Sequence, residues 1–140
     1  MILQPETDEQ ILATHPVMRQ LRPHLSADDY LQRVRRMMRT DGYLLAAATD
    51  DDGVPRGVAG YRYMEMLYAG RILYIDDLVT DEETRSRGFG KELLDWLVEQ
   101  ARANGCEQLH LDSGVHRPRA HRFYFREGLV VNAFHFWREV

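Results

Sequence analysis

Cysteine, lysine and long apolar runs are what this chain has least of. Its 140 residues include one cysteine, Cys106. A single thiol excludes an internal disulfide and any multi-cysteine zinc site, and makes a reducing cytoplasm the default expectation. The longest uninterrupted apolar run is six residues, Tyr43 to Ala48. That is far short of the ~20 needed to cross a bilayer, so no membrane partner is expected. The opening residues, Met1 to Glu9, carry neither a basic stretch nor an apolar one, so no secretory signal is expected. Positive charge is scarce as well: 18 Lys and Arg stand against 22 Asp and Glu, a formal net charge of −4. That balance argues against a general nucleic-acid binder. Lys91 is the only lysine, so 17 of the 18 cations are arginine. GC-rich codon usage explains this, and so does a need for forked contacts to phosphate or carboxylate; composition does not separate the two.

What remains is the make-up of one soluble domain, 44% apolar and 29% charged. A chain of this length buries roughly 70% of its unfolded surface, enough for one unaided core. There is no repeat, low-complexity tract or linker, so residues 1–140 are expected to form a single domain. Ile2-Leu3 reads as a short strand. Thr7 followed by Gln10 reads as a capping box opening a helix to about Leu21, limited or bent at Pro16. Ser26 caps a second helix that ends near Asp41-Gly42. Strands follow at Tyr43–Thr49, Val54 to about Met66, and Arg71–Val79, with turns at Asp50–Gly53 and Ala69-Gly70. Phe89, Leu93, Leu94, Leu97 and Ala101 mark a strong helix stopped at Asn104-Gly105. Leu109 and Leu111 alternate in a strand, a shorter helix spans about Arg117–Arg126, and Val130–Trp137 reads as a last strand region. Strand, helix, strand implies a crossover and a parallel pair, hence an α/β fold with a mixed sheet.

The segment from Asp76 to Lys91 carries the chemistry. A strand feeds a Gly88-Phe89-Gly90 loop that opens a helix. The first N–H groups of a helix lack partners, and its dipole places positive charge there, so such an end suits phosphate. Arg85, Arg87 and Lys91 add charge around it. The spacing is neither a Walker loop, because Glu92 follows Lys91, nor a Rossmann fingerprint, because position 93 is Leu. The residues alone leave two readings open, a pyrophosphate cradle and a plain tight turn into a helix.

Arg85-x-x-Gly88-x-Gly90 after an extended strand resembles the acetyl-CoA motif of the GNAT superfamily of N-acetyltransferases. Downstream, Arg117-Pro-Arg-Ala120-His121-Arg-Phe123-Tyr124-Phe-Arg-Glu-Gly128-Leu129 is similar to the family's second signature segment. The resemblance is specific over about residues 72–129 and vague over the first 42. It implies a mostly antiparallel mixed sheet with a parallel strand pair around a central crossover helix, and helices on both faces. It also implies acetyl-CoA as co-substrate, without a metal. The amides of Arg87, Gly88, Phe89, Gly90 and Lys91 would bind the pyrophosphate, with Arg85 at the loop's start. The backbone of Leu78, Val79 and Thr80 would pair with the pantetheine arm. Tyr124 falls where the family protonates the departing thiolate, a task suited to a phenol of pKa ~10. Asp76 falls on a family Glu that sometimes acts as base through water. The acceptor implied is a primary amine of a small molecule or peptide, and a homodimer is plausible for the family.

Asp76 and Asp77 are adjacent, and period-2 alternation sends them to opposite faces, with Asp76 beside Tyr74 and Leu78. The acidity of Asp50–Asp52 and Asp76-Asp77 is compatible with a cationic acceptor such as a polyamine. The six histidines include no H-E-x-x-H pair, so no metal site is expected. Cys106 reads as an inert buried thiol, His121 as a packing or hydrogen-bonding residue near the CoA arm. Arg117, Arg119, Arg122 and Arg126, interleaved with aromatics, read as a solvated helix face or an RNA-binding one, and net charge favours the first. Two competing functions stand beside the acetyltransferase: a silent acyl-CoA-sensing module and an arginine-rich interaction domain.

Overall fold

The computed structural model describes residues 1–140. Its elements run β1 (Ile2–Leu3), α1 (Asp8–Leu21), α2 (Ala27–Thr40), β2 (Leu44–Thr49), β3 (Pro55–Met66) and β4 (Gly70–Thr80). A 3-10 turn (Glu82–Thr84), α3 (Phe89–Ala103), β5 (Gln108–Leu111) and α4 (Pro118–Arg126) follow. The chain divides into two compact units, Met1–His110 and Leu111–Val140. No helix is long and apolar enough to cross a membrane.

Local chemistry explains the boundaries in the first unit. Thr7 and Gln10 form the expected reciprocal capping box on α1. The Ser26 hydroxyl accepts from the Asp29 amide to start α2. Pro16 lies inside α1, which nevertheless continues to Leu21. The Asp50–Gly53 turn closes the β2–β3 hairpin, with Gly53 at φ +78°.

The sheet has the order β1-β2-β3-β4-β5. The first four strands are antiparallel neighbours, and β4 and β5 form the parallel pair. The Glu107 amide donates to the Arg71 carbonyl at 3.0 Å, which sets the start of β5 beside the start of β4. Four residues of β5 cover only part of the eleven in β4.

Alternation along β3 shows how the helices cover the sheet. A Cβ at Gly57 would lie 2.9 Å from Leu93 Cδ1 of α3, so this residue faces α3. Its neighbour Val58 belongs to the core formed with Ile11, Val17 and Met18 of α1 and Tyr30 and Val34 of α2. Consecutive strand residues point to opposite faces. Helices α1 and α2 therefore cover one face and α3 the other.

In the second unit, α4 carries Pro118 at its first position, where the missing N–H costs nothing. Two expectations fail here and beside it. The strand expected over Val130–Trp137 is absent: residues 129–140 have no regular structure, and Phe134, Phe136 and Trp137 are exposed. A strand is stable only within a ladder, and no ladder of the sheet includes this stretch. Cys106 is half-buried rather than buried, because it precedes β5 in the turn after α3 instead of starting a core strand.

Candidate active site

A cavity of about 260 Å³ opens on the sheet face under α1 and α2. Met18 lines it from α1 and Arg22 from the cap just after that helix, Tyr30, Arg33, Val34 and Met37 from α2, and Tyr43, Asp76 and Asp77 from the sheet side. Both carboxylates reach it because β4 breaks step. Gly60 pairs with Asp77, but Tyr61 pairs with Ile75, so Asp76 is an extra, bulged residue. The bulge resets the alternation. Asp76 and Asp77 share one face, contrary to strict period-2 reading, and Leu78, opposite Ala59, turns to the α3 face away from Asp76.

Each carboxylate is held by an arginine. Arg62 forks onto Asp76, Nε to Oδ1 at 3.0 Å and Nη2 to Oδ2 at 2.6 Å. Arg22 Nε donates to Asp77 Oδ1 at 2.8 Å, and its Nη2 donates to the Asp76 carbonyl at 3.2 Å. Tyr43 Oη donates to Asp77 Oδ2 at 2.8 Å. Burial pushes the Asp76 carboxyl above the usual carboxylate range, although the Arg62 hydrogen bonds pull it down. The same pair holds Arg62 more firmly protonated. Burial, then the charge of Asp77, keeps the Tyr43 phenol protonated well above its ordinary range. Burial raises Tyr30 to about 12, against the Thr14 hydrogen bond that lowers it.

Gly60 makes the Tyr43 contact possible. A Cβ there would fall 1.8 Å from Tyr43 Oη and 2.4 Å from its Cζ. The phenol lies across the bare backbone of β3 to reach the strand beyond.

Beyond the bulge, β4 runs through Leu78, Val79 and Thr80, which pair with Ala59, Val58 and Gly57. No strand pairs with the opposite edge of these residues, since β5 is too short to reach them. The chain then turns through Glu82–Thr84 into α3. Ser86 at φ +67° and Gly88 at φ +90° shape the loop, and a Cβ on Gly88 would meet nothing within 4 Å. The Arg87 amide donates to the Thr84 carbonyl at 3.3 Å, the amides of Gly88, Phe89 and Gly90 find no backbone acceptor, and the Glu92 amide donates to the Gly88 carbonyl at 2.9 Å. Phe89 is buried and anchors α3, while Gly90 is half-buried. Arg85 reaches Glu82 at 3.3 Å, Lys91 reaches Asp95 at 2.8 Å, and the Arg87 guanidinium lies 5.8 Å from the Phe89 ring centre.

Asp81 fixes the root of this loop. Its carboxylate accepts from Arg56 Nη1 at 2.9 Å and from Gln20 Nε2 at 3.2 Å, while Gln20 Oε1 accepts from the Glu82 amide at 3.0 Å. Arg56 also binds Asp50 at 2.7 Å. Burial alone would raise the Asp81 carboxyl, but the Gln20 and Arg56 hydrogen bonds hold it below its ordinary value. Arg56 does the same to Asp50, helped by the Val54 amide.

In the second unit, Tyr124 is half-buried on α4, its ring 5.6 Å from that of Phe123. Burial raises its phenol above 10.0, opposed by the charge of Arg117. His121 Nε2 donates to the Gly114 carbonyl at 2.8 Å. No cluster of three His, Cys, Asp or Glu is arranged to hold a metal ion.

The model of the Acetyltransferase (GNAT) family matches residues 9–128. The chain belongs to that family. An N-acetyltransferase of Bacillus subtilis, YhdJ, is 34% identical over 133 residues, 94% of this chain and 93% of its own length. The aminoalkylphosphonate N-acetyltransferase of Salmonella typhimurium is 39% identical over 69 residues, 49% of this chain and 45% of its own. In fold, the chain is similar to the aminoglycoside N-acetyltransferase AAC(6')-Iy in complex with a bisubstrate analogue. The TM-score is 0.86 over 100% of this chain and 97% of that one, at 17% identity. Family membership makes the protein an acyl-CoA-dependent N-acetyltransferase.

For this GNAT enzyme, the first unit brings together Asp76, the free edge at Leu78–Thr80 and the Arg85–Lys91 loop along a single strand-to-helix path. Tyr124 stands in the second unit. Sequence reasoning missed Arg22, Arg62 and Tyr43 around the carboxylates, and Arg56 and Gln20 under the loop. One signal was present: a glycine inside a strand, here Gly60, marks a bulge or a close approach. The arginine partners carried no local signal.

Proposed function

We propose that this enzyme moves the acetyl group of acetyl-CoA to a primary amine of a small molecule or peptide, by direct attack in a ternary complex. One observation carries the reading: β4 joins a cavity floored by Asp76 and Asp77 to a helix start with unpaired amides. Five residues, Asp76 to Thr80, span roughly 13 Å at the rise of an extended strand. The pyrophosphate suits the amides of Gly88, Phe89 and Gly90, with room above Gly88 and cations at Arg85, Arg87 and Lys91; the Arg87 amide, expected to join them, is already held by the Thr84 carbonyl. The pantetheine arm would add to the open edge of Leu78, Val79 and Thr80 as an extra strand. Amides along the same edge would polarise the thioester carbonyl.

The residues then divide the proton work. An ammonium of pKa ~10 must lose a proton before it can attack. Asp76 receives it, directly or through water, and its raised pKa brings it nearer the working range of a base. The amine nitrogen bonds to the carbonyl carbon, the C–S bond breaks, and Tyr124 returns a proton to the sulfur. Its phenol stays protonated at neutral pH because burial raises its pKa. The aminoalkylphosphonate and aminoglycoside enzymes are named for small amines, which supports a small acceptor. The reading also includes a cytoplasmic homodimer, supported by one unpaired cysteine and by the exposed Phe134, Phe136 and Trp137.

The test pairs a thermal melt with an assay of released CoA thiol. Acetyl-CoA and CoA, but not ATP, should raise the melting temperature by several degrees. Tyr124→Phe should keep that shift and lose about a hundredfold or more in kcat. No shift at millimolar CoA would overturn the cofactor site, and an unchanged kcat would remove Tyr124 from the mechanism. A shift without turnover of any amine would favour a silent acyl-CoA-sensing module.

A further inference from the structure

The charges around the acceptor cavity do not suit a plain cation. Asp76 is neutralised by the Arg62 fork, and Asp77 by Arg22 with a further bond from Tyr43. A third guanidinium, Arg33, lines the same cavity from the exposed side of α2 and makes no ion pair or hydrogen bond with any carboxylate of the chain. Arg22, Asp76 and Asp77 of the lining thus all have ion-pair partners, and the exposed Arg33 is the one charged group there without one. A polyamine would find no carboxylate without a partner and would meet an unpaired guanidinium. The acidity that suggests such an acceptor in the sequence is thus cancelled within the fold.

Arg33 is also placed differently from the other arginines of α2. Tyr30, Arg33, Val34 and Met37 follow the spacing of one helical stripe, and all four line the cavity. Arg35, Arg36 and Arg39 lie on another face, around a separate depression with Asp8. Arg33 is therefore the one charged group in an otherwise apolar and phenolic stripe. The opening is small, about 260 Å³, below the ~300 Å³ at which drug-sized ligand sites begin.

From this arrangement we propose that the acceptor is a short amine that also bears an acidic group, a carboxylate, phosphonate or phosphate, and that Arg33 is the residue that selects it. The inference rests on the acetyltransferase reading above and narrows its acceptor. The amine end sits toward Asp76 and Asp77 on the floor, and the oxyanion meets the Arg33 guanidinium, whose fork matches its geometry. The acid group supplies the partner that Arg33 lacks.

The test uses terminal amines on two-, three- and four-carbon chains ending in phosphonate, in carboxylate or in methyl, with a diamine of each length. Each is assayed by thiol release at saturating acetyl-CoA. The best acidic amine should exceed its methyl-ended and diamine counterparts in kcat/KM by about tenfold to a hundredfold. The phosphonate and carboxylate arms tell which oxyanion is preferred. Arg33→Gln should collapse that ratio toward one, chiefly through KM for the acidic amines. Arg33→Lys should restore part of it. Arg36→Gln, one turn position away and outside the cavity, should keep it. Diamines or plain amines turned over as well as acidic ones would overturn the proposal while leaving the acetyltransferase reading intact. So would an equal loss for all amines in Arg33→Gln. An acetyl-CoA melting shift with transfer to none of the set would also overturn it. Loss of that shift altogether would remove the underlying reading instead.

Discussion

Replacing Gly60 by alanine adds one methyl group and should disturb the candidate active site more than any surface change. Gly60 has no positive φ, so its backbone would accept alanine without strain. Were the site open, the substitution would be neutral or slightly stabilising, by about 0.4–1 kcal/mol through the unfolded chain. The structure gives the opposite sign. The new Cβ would stand 1.8 Å from Tyr43 Oη and 2.4 Å from Cζ. Tyr43 is 3% exposed and cannot swing clear without disturbing the core. Overpacking costs about 1–3 kcal/mol, and the displaced phenol gives up a bond to a charged carboxylate worth about 1.5–3 kcal/mol. A loss of about 3 kcal/mol follows, toward the lower end of the combined ranges. For 140 residues, an unfolding entropy of about 0.29 kcal/mol/K makes this a fall of roughly 10 °C in melting temperature. Differential scanning calorimetry measures it, and a double-mutant cycle isolates the cause. In a Tyr43→Ala background the same glycine change should cost under about 1 kcal/mol, because the clashing ring is gone. An equal cost in both backgrounds, or a melting temperature within about 2 °C of wild type for Gly60→Ala alone, would refute the reasoning.

Three other outcomes are expected. Asp50 and Asp81 have folded pKa values below their ordinary ones, so their contribution to stability is present above the unfolded value of about 3.9 and is lost as pH falls through the lowered folded values. Arg56→Ala should therefore lower the melting temperature more at pH ~7 than at pH ~3, and an equal loss at both would mean that the two ion pairs contribute nothing. Asp76 has the opposite sign: its folded pKa is raised, its charged form opposes folding, and that penalty is relieved as pH falls through the raised value. If Asp76 is the base, kcat/KM should climb with pH through the same raised value, and Asp76→Asn should remove that limb; a limb that survives the substitution assigns the titration elsewhere. For the apolar tail, Phe134→Ser with Trp137→Ser should convert a dimer to a monomer by sedimentation, and a wild-type protein that sediments at 16.4 kDa would exclude the dimer.

Signals confined to a few neighbouring residues are legible in the amino-acid order itself. The Thr7–Gln10 box, the Ser26 cap and the Gly53 and Gly70 turns are interactions between groups up to four residues apart, so the sequence spells out both partners. The Gly88-Phe89-Gly90 entry to α3 belongs to the same class: the loop's conformation and the charge around it come from one continuous segment. The last strand failed for the complementary reason. Val130–Trp137 has strand-like composition, but a strand also needs an edge to pair with, and composition is silent about edges.

The acceptor cavity shows the harder limit. Adjacent aspartates in a strand suggest one pointing in and one pointing out, and a single bulge at Asp76 overturns that inference. The bulge redirects one carboxylate onto the face where the other already points, and two half-buried like charges then require cations. Those come from 14 residues upstream in Arg62 and 55 upstream in Arg22. Neither distance follows a local rule, so no periodicity could have paired them. Electrostatics ties the bulge to its partners: without Arg62 and Arg22, two adjacent carboxylates on one half-buried face would repel, and at least one would take up a proton. The same ion pairs decide what the cavity can bind, because they cancel the acidity that the sequence displays and leave Arg33 as its uncompensated charge. On the proposed reading, acceptor choice is set by long-range neutralisation of two aspartates rather than by the aspartates themselves.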